Sequence, residues 1–153
     1  MIKTLTLGGV EVKFKSSAAT NILYKRAFRE DITMKLTEYS QNAKNLKKLR
    51  ASMAEIRASE EMSDEEKAEK LREITMNPAY VKALDFYNDT LPKLAYVMML
   101  EGTFDAAKIF TELNEDKYLI WLMSLDQDDL TENLNEVLDI WRVGARGTSK
   151  AKN

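Results

Sequence analysis

The sequence predicts a mainly α-helical fold in which an N-terminal β-hairpin is followed by a multi-helix bundle with one long helix. Three observations predict this fold class. Apolar and polar side chains alternate around a Gly-Gly pair near the N-terminus, whereas apolar residues recur every three or four positions through the rest of the chain. The 153 residues also include only five glycines and two prolines, a composition that favours helices over a sandwich or barrel.

The hairpin is predicted over residues 2–14, with Gly8 and Gly9 as a two-residue turn. This turn pairs four apolar residues across the strands, Leu5 with Val12 and Leu7 with Val10. Because successive side chains of a strand point to opposite faces, these four residues share one face. A lone hairpin is marginal in water, so we expect its apolar face to cover another part of the protein.

Two helices are expected next. The pair Ser16-Ser17 offers an N-cap for a short helix over 18–28, with predicted inward residues Ile22, Leu23 and Phe28. A long helix over 31–58 follows, because apolar residues recur there at helical spacing: Ile32, Leu36, Tyr39, Ala43, Leu46, Leu49, Met53 and Ile56. Such a coiled-coil-like stripe requires a partner helix.

The middle of the chain is rich in charged residues, and we interpret residues 42–77 as a charged insertion. Within it, Ser63 and Glu66 form a capping-box pattern that predicts a helix over 64–75. Residues 58–63 are then expected to form the loop that precedes this helix.

Two prolines mark further helix starts. Asn77 before Pro78 predicts an N-cap followed by proline at the first helical position. Pro92 either kinks this helix or begins a new one, which Gly102 then ends. We expect another short helix over 105–113.

Residues 116–125 are apolar on nearly every side of a predicted helix. One face comprises Tyr118, Trp121, Leu122 and Leu125, and a second comprises Leu119 and Met123. A helix that is apolar on two faces either lies deep in the core or presents one face to a partner. Trp121 is equally compatible with core packing and with a contact surface.

The last helix has the most regular pattern, with an apolar stripe formed by Leu130, Leu134, Val137, Leu138 and Trp141. Gly144 and Gly147 are expected to stop this helix. The sequence therefore predicts a single domain over residues 1–147, with helices from about residue 18 to residue 143 and a disordered tail at 148–153.

The chain contains neither cysteine nor histidine, which excludes thiolate nucleophiles, zinc sites of the usual kind and a histidine-activated serine. It has no P-loop or calcium-loop spacing either. We therefore expect no catalytic, cofactor-binding or metal-binding residues, and no enzyme. Because the chain has no apolar run near the ~20 residues of a membrane helix and no signal peptide pattern, we expect a cytoplasmic protein without a membrane partner.

Charge is distributed unevenly along the chain. Residues 1–57 carry a net charge of +7 and residues 101–139 a net charge of −9, although the total is −2. The basic and the acidic segment either attract each other within one chain or join neighbouring copies in a homo-oligomer. A basic cluster at Lys44, Lys47, Lys48 and Arg50 either is a solvated face or contacts phosphates, but the total charge does not favour a nucleic-acid partner.

Several blocks, in their order and spacing, resemble the tail assembly chaperones of siphophages. Near the N-terminus these blocks are KTLTLGGVEVKF (3–14), SAAT (17–20) and YKRAF (24–28). Towards the C-terminus they are LAYVM (94–98), WLMSLD (121–126), VLDIW (137–141) and the polar GTSK (147–150). The resemblance spans nearly the whole chain, and residues 42–77 are longer and more charged than the family pattern.

The resemblance implies a non-catalytic chaperone, encoded by a phage or prophage, that binds the tape measure protein and assists assembly of the tail tube. It implies the tape measure protein as partner, with the tail tube protein as a possible second one. It also implies a location in the host bacterial cytoplasm and absence from the mature virion. Our hypothesis for the partner-binding residues is the face formed by Tyr118, Trp121, Leu122 and Leu125. The alternative is a small phage-encoded regulatory protein that binds nucleic acid through its basic N-terminal half.

Overall fold

In the computed structural model of the chain, the backbone is described for residues 1–150 and the side chains for residues 1–144. The predicted fold class is confirmed, since a two-stranded antiparallel hairpin precedes a series of helices. The elements are β1 (Ile2–Leu7), β2 (Val10–Lys15), α1 (Thr20–Phe28), α2 (Ile32–Ala58), α3 (Asp64–Thr75), α4 (Pro78–Asp85), α5 (Leu91–Thr103), α6 (Ala106–Glu112), α7 (Glu115–Met123) and α8 (Gln127–Lys150).

The contacts divide the chain into two compact units, where one domain over 1–147 was expected. The first unit comprises Met1–Thr33 and the chain from Asp89 onward, and the second comprises Met34–Asn88. The second unit contains all of segment 42–77, which the sequence analysis set apart as a charged insertion.

The hairpin has the predicted register, with Leu5 opposite Val12 and Leu7 opposite Val10. Gly8 and Gly9 have φ values of 57° and 79°, a left-handed conformation that glycine adopts without steric cost. Of the predicted apolar face, Leu5 and Leu7 are buried and Val12 is half-buried, whereas Val10 is 63% exposed. The hairpin packs against α5 and α8, which supply the cover that two strands alone lack.

Helix α5 is the centre of the first unit. Each residue from Leu91 to Leu100 except Lys93 is buried, and α5 contacts β2, α1, α6, α7 and α8. Gly102, near the end of α5, allows this helix to approach β2, because a Cβ atom there would lie 2.3 Å from the Lys13 carbonyl oxygen. A π-helical segment, Phe86–Thr90, precedes α5, and Pro92 lies in the first turn of α5.

Helix α1 begins at Thr20, two residues after the predicted start, and its N-cap is Ala19 without a side-chain hydrogen bond, so the N-cap predicted at Ser16-Ser17 is wrong. The helix buries Leu23 and Phe28, as predicted. The prediction for Ile22 is wrong, because its side chain is 69% exposed. Tyr24 faces inward instead, and its hydroxyl donates a hydrogen bond to Glu30 Oε2 at 3.1 Å. The inward face of α1 is therefore rotated from the one that the apolar residues alone indicated.

Helix α8 buries the five apolar residues that were predicted to form its inward stripe. The indole Nε1 of Trp141 donates a hydrogen bond to Asn21 Oδ1 at 2.8 Å and so joins α8 to α1. The predicted stop at the glycines is wrong, since the helix continues through Gly144 and Gly147 to Lys150. Residues 151–153 of the predicted disordered tail lie outside the described residues.

In the second unit, the predicted stripe of α2 from Leu36 to Ile56 is buried or half-buried throughout. Tyr39 of this stripe stacks on Phe86, with ring centroids 4.6 Å apart. Both predicted caps are present, because Ser63 accepts a hydrogen bond from the Glu66 amide and Asn77 accepts one from the Ala79 amide. Local sequence signals thus define the helix starts of this unit.

Candidate partner-binding surface

Helix α7 is short, and its ends are fixed by local chemistry. Asn114 Oδ1 accepts a hydrogen bond from the Lys117 amide at 2.9 Å and caps the N-terminus. Glu115 and Asp116 lie in the first turn, where negative charge favours the positive end of the helix dipole. The Ser124 amide donates to the carbonyl oxygens of the last turn, so α7 is a defined nine-residue helix.

The inner face of α7 packs into an aromatic cluster, which we define as Phe28, Tyr96, Tyr118 and Trp121. The Tyr118 ring lies 5.2 Å from the Phe28 ring and 5.6 Å from the Tyr96 ring, centroid to centroid, in edge-to-face arrangements. The Trp121 ring lies 5.4 Å from the Tyr96 ring. Such aromatic pairs contribute about 1 kcal/mol each beyond the burial of their surface, so the cluster holds α7 in one orientation.

Burial in this cluster also changes tyrosine ionisation. Loss of water, together with the negative charge of Asp89, raises the pKa of Tyr118 to about 12. Burial and the negative charge of Glu112 likewise raise the pKa of Tyr96 to about 12, and its hydroxyl donates a hydrogen bond to the Glu112 carbonyl oxygen at 2.6 Å. Both rings are therefore neutral at physiological pH, as a buried packing surface requires.

A charged group next to the cluster ties α5 to the end of α1. Lys93 Nζ lies 2.9 Å from Asp89 Oδ2, 3.5 Å from Glu30 Oε1 and 5.3 Å from the Phe28 ring centroid. Burial lowers the pKa of Lys93, but hydrogen bonding and attraction to Asp89 and then to Glu30 outweigh it and raise the pKa overall. Lys93 is thus a structural cation that is engaged within its own unit.

The outer face of α7 carries three large apolar side chains in water. Leu119 is 50% exposed, Ile120 63% and Met123 85%. At 3.6 residues per turn these positions share one side of the helix. We call them the α7 outer face. It is the side of α7 that the rest of its unit leaves uncovered.

A groove borders α7 on the side of the hairpin. It has a volume of about 370 Å³ and is lined by hairpin residues Leu7, Gly8, Val10 and Val12 together with Trp121, Ser124, Leu125, Asp126 and Asp129. A second groove of about 450 Å³ shares Trp121 and Val12 with the first and extends to Met99 on α5. The half-buried indole of Trp121 therefore lies in the wall of both grooves.

Carboxylates surround this apolar region. Six of them follow one another closely in the chain: Glu115, Asp116, Asp126, Asp128, Asp129 and Glu132. None of the six forms an ion pair with a side chain of residues 1–144. The surface around the α7 outer face is therefore negatively charged and favours a positively charged partner.

The four residues of the predicted partner face have different environments. Tyr118 shares this face but is only 4% exposed and belongs to the core. Trp121, Leu122 and Leu125 are half-buried, and Trp121 and Leu125 line the first groove. Leu119 and Met123, assigned to a second face by the sequence, are exposed. Ile120 was missed, although its spacing of three residues from Met123 could have indicated that the two share a side.

Two other features, a metal site and a membrane span, were also sought among the described residues. Across that part of the chain, no set of three acidic side chains is arranged to hold a metal ion. No helix there has both the length and the apolar character needed to cross a membrane. Comparisons of the chain with protein-family models, with curated proteins and with solved structures find no match.

Proposed function

We propose that this protein is a phage tail assembly chaperone, which binds the tape measure protein without catalysis and assists assembly of the tail tube. The observation that carries this proposal is the α7 outer face, where Leu119, Ile120 and Met123 are exposed on a helix whose other side is firmly packed. The two grooves beside it, both lined by Trp121, extend this apolar surface towards the hairpin. The blocks that resemble siphophage tail assembly chaperones support the same proposal.

A rigid apolar surface of this kind suits a helical partner. A helix in a complex lays its apolar stripe against an apolar groove, and the energy comes from side chains that leave water. Each large apolar side chain that becomes buried contributes about 1–2 kcal/mol. Because α7 is already ordered, little conformational entropy is lost on its side of the complex. The tape measure protein would provide such helices in the host cytoplasm before the tube forms.

Co-expression with the tape measure protein of the same phage tests the proposal. We expect the chain to keep that protein in the supernatant and to co-purify with it. The variant Leu119→Ser/Ile120→Ser/Met123→Ser should bind about a hundredfold more weakly, because three contacts of about 1 kcal/mol each are lost.

The second unit offers a matched control. Met76, Val81 and Leu84 are also large, apolar and exposed, on and beside α4. The variant Met76→Ser/Val81→Ser/Leu84→Ser should bind the tape measure protein like the unmodified chain. Equal binding by both variants, with both folded by circular dichroism, would contradict the proposed site. No co-purification with the unmodified chain would contradict the proposed function.

A further inference from the structure

We propose that the α7 outer face accepts an amphipathic helix that carries positively charged residues at both ends of its apolar stripe. This inference rests on the proposed function and names the chemistry of the partner segment. It depends on the position of the exposed charges relative to the exposed apolar side chains of α7.

The apolar residues of the outer face have carboxylates before and after them. Glu115 and Asp116 precede Leu119 in the first turn of α7, and both are exposed. Exposed Asp126 follows Met123 in the turn before α8, and exposed Asp128 lies in the first turn of α8. A helix laid along α7 would therefore have carboxylates near each end of the apolar contact.

Positive charge from the protein itself cancels these carboxylates only in part. Lys117, the single basic residue of α7, lies about 60° around the helix from Ile120, on the side towards Trp121. Lys3 and Lys93, in the same unit, are bound to Glu136 and to Asp89 with Glu30, and Lys13 lines the second groove. The four carboxylates outnumber Lys117, so both ends of the apolar contact keep a negative charge that attracts a basic partner.

The length of α7 sets the spacing of the matching charges. Nine residues at a rise of 1.5 Å each span about 12 Å from first to last. A helical partner covers the same distance in about eight to ten residues. Its Lys or Arg residues should therefore lie about two to three turns apart, with apolar residues at i, i+3, i+4 and i+7 between them.

A second copy of this chain does not provide such a segment in its exposed α4. The apolar residues Val81 and Leu84 of α4 are accompanied by one lysine, Lys82, and by Asp85. That arrangement places no pair of positive charges around an apolar stripe. Helix α2 carries exposed Lys44, Lys47, Lys48 and Arg50, but its apolar stripe is buried or half-buried within the second unit. The charge pattern of α7 therefore favours a different, basic chain as the occupant.

Two fluorescently labelled peptides of about 18 residues, long enough for helix formation in a complex, test the inference by anisotropy. Both contain the same leucine stripe, with lysines at both ends in one peptide and glutamates in the other. We expect the lysine peptide to bind at least about tenfold more tightly at low salt, and the difference to shrink at high salt.

Neutral variants identify the carboxylates responsible. The variant Glu115→Gln/Asp116→Asn/Asp126→Asn/Asp128→Asn should bind the lysine peptide about tenfold more weakly. Its turn is preserved, because the side-chain amide oxygen that Asp126→Asn introduces can still accept the hydrogen bond that the backbone amide of residue 128 donates to Asp126 Oδ1. A control that neutralises four exposed acids of the second unit, Glu61, Glu65, Glu69 and Glu73, should bind like the unmodified chain.

Three results would overturn the inference: equal binding of the two peptides, no binding of the lysine peptide at millimolar concentration, or equal weakening by the control variant. If light scattering shows that the outer-face serine variant dissociates a homo-oligomer, the occupant is a second copy and the inference also fails. Co-purification of the tape measure protein with the unmodified chain is independent of these results. If the tape measure protein still co-purifies with the unmodified chain, the proposed function remains supported even though the inference fails.

Discussion

Gly102 shows how one residue determines a contact between two elements. A Cβ atom at this position would lie 2.3 Å from the carbonyl oxygen and 2.7 Å from the carbonyl carbon of Lys13. Those atoms belong to the backbone of β2, so they cannot move aside as the end of a flexible side chain can. The close packing of α5 on the hairpin therefore depends on glycine.

For the substitution Gly102→Ala, the sign of the change in the free energy of unfolding tests this contact. In an ordinary helix position, alanine in place of glycine stabilises by roughly 0.5–1 kcal/mol. Here we expect a loss of about 1–3 kcal/mol, because the added methyl group forces α5 away from β2. Urea unfolding measures the change, with Thr103→Ala at the neighbouring exposed position as the control. An increase in stability would show that the helix and strand are not in close contact.

Sequence patterns predicted some residue roles and missed others. The left-handed conformations of Gly8 and Gly9 follow from two-residue turn chemistry, which is local. The role of Gly102 was missed, because it depends on a strand about 90 residues earlier in the chain. The buried position of Tyr24 was also missed, since its hydroxyl requires Glu30 as a partner before burial is tolerated.

At the scale of elements, α7 has the apolar faces that periodicity predicted, but their assignment needed the structure. The sequence placed Tyr118, Trp121 and Leu122 on one side, and that side packs inward. Helical spacing alone shows which residues share a face and does not show which face is covered. The inner face of α7 is covered by Phe28 and Tyr96, which lie on other helices.

The two faces of α7 should respond differently to truncation. Tyr118→Ala removes a buried ring with three aromatic contacts, and we expect it to lower the free energy of unfolding by about 3–5 kcal/mol. Met123→Ala removes a side chain that is 85% exposed and should change stability by less than about 0.5 kcal/mol. Thermal or urea unfolding provides both values. Similar losses for the two variants would contradict the assignment of inner and outer faces.

Helix ends were predictable where a side chain caps the backbone. Ser63 and Asn77 act as the sequence indicated, because a cap depends only on residues two or three positions away. The end of α8 was not predictable in this way, since Gly144 is compatible with a helix that packs closely on Ser16. Glycine lowers helix propensity without forbidding the helix.

At the scale of the whole molecule, the two units suggest a division of roles. The proposed partner surface lies in the first unit, around α7 and the hairpin. The basic residues Lys44, Lys47, Lys48 and Arg50, which motivated the alternative of nucleic-acid binding, are exposed on α2 in the second unit. The division into units escaped prediction from sequence, because the long α2 pattern continues from one unit into the other without a break.

The exposed methionines provide the most direct test of the central claim that the α7 outer face is the partner surface. Met123 lies on that face, whereas Met76 is exposed in the second unit and Met98 is fully buried. Isotopically labelled methionine methyl groups, assigned by single Met→Leu variants, can be followed by NMR while a helical fragment of the tape measure protein is added. We predict that the Met123 signal shifts or broadens and that the Met76 signal stays unchanged. A shift of Met76 with an unchanged Met123 signal would contradict the claim.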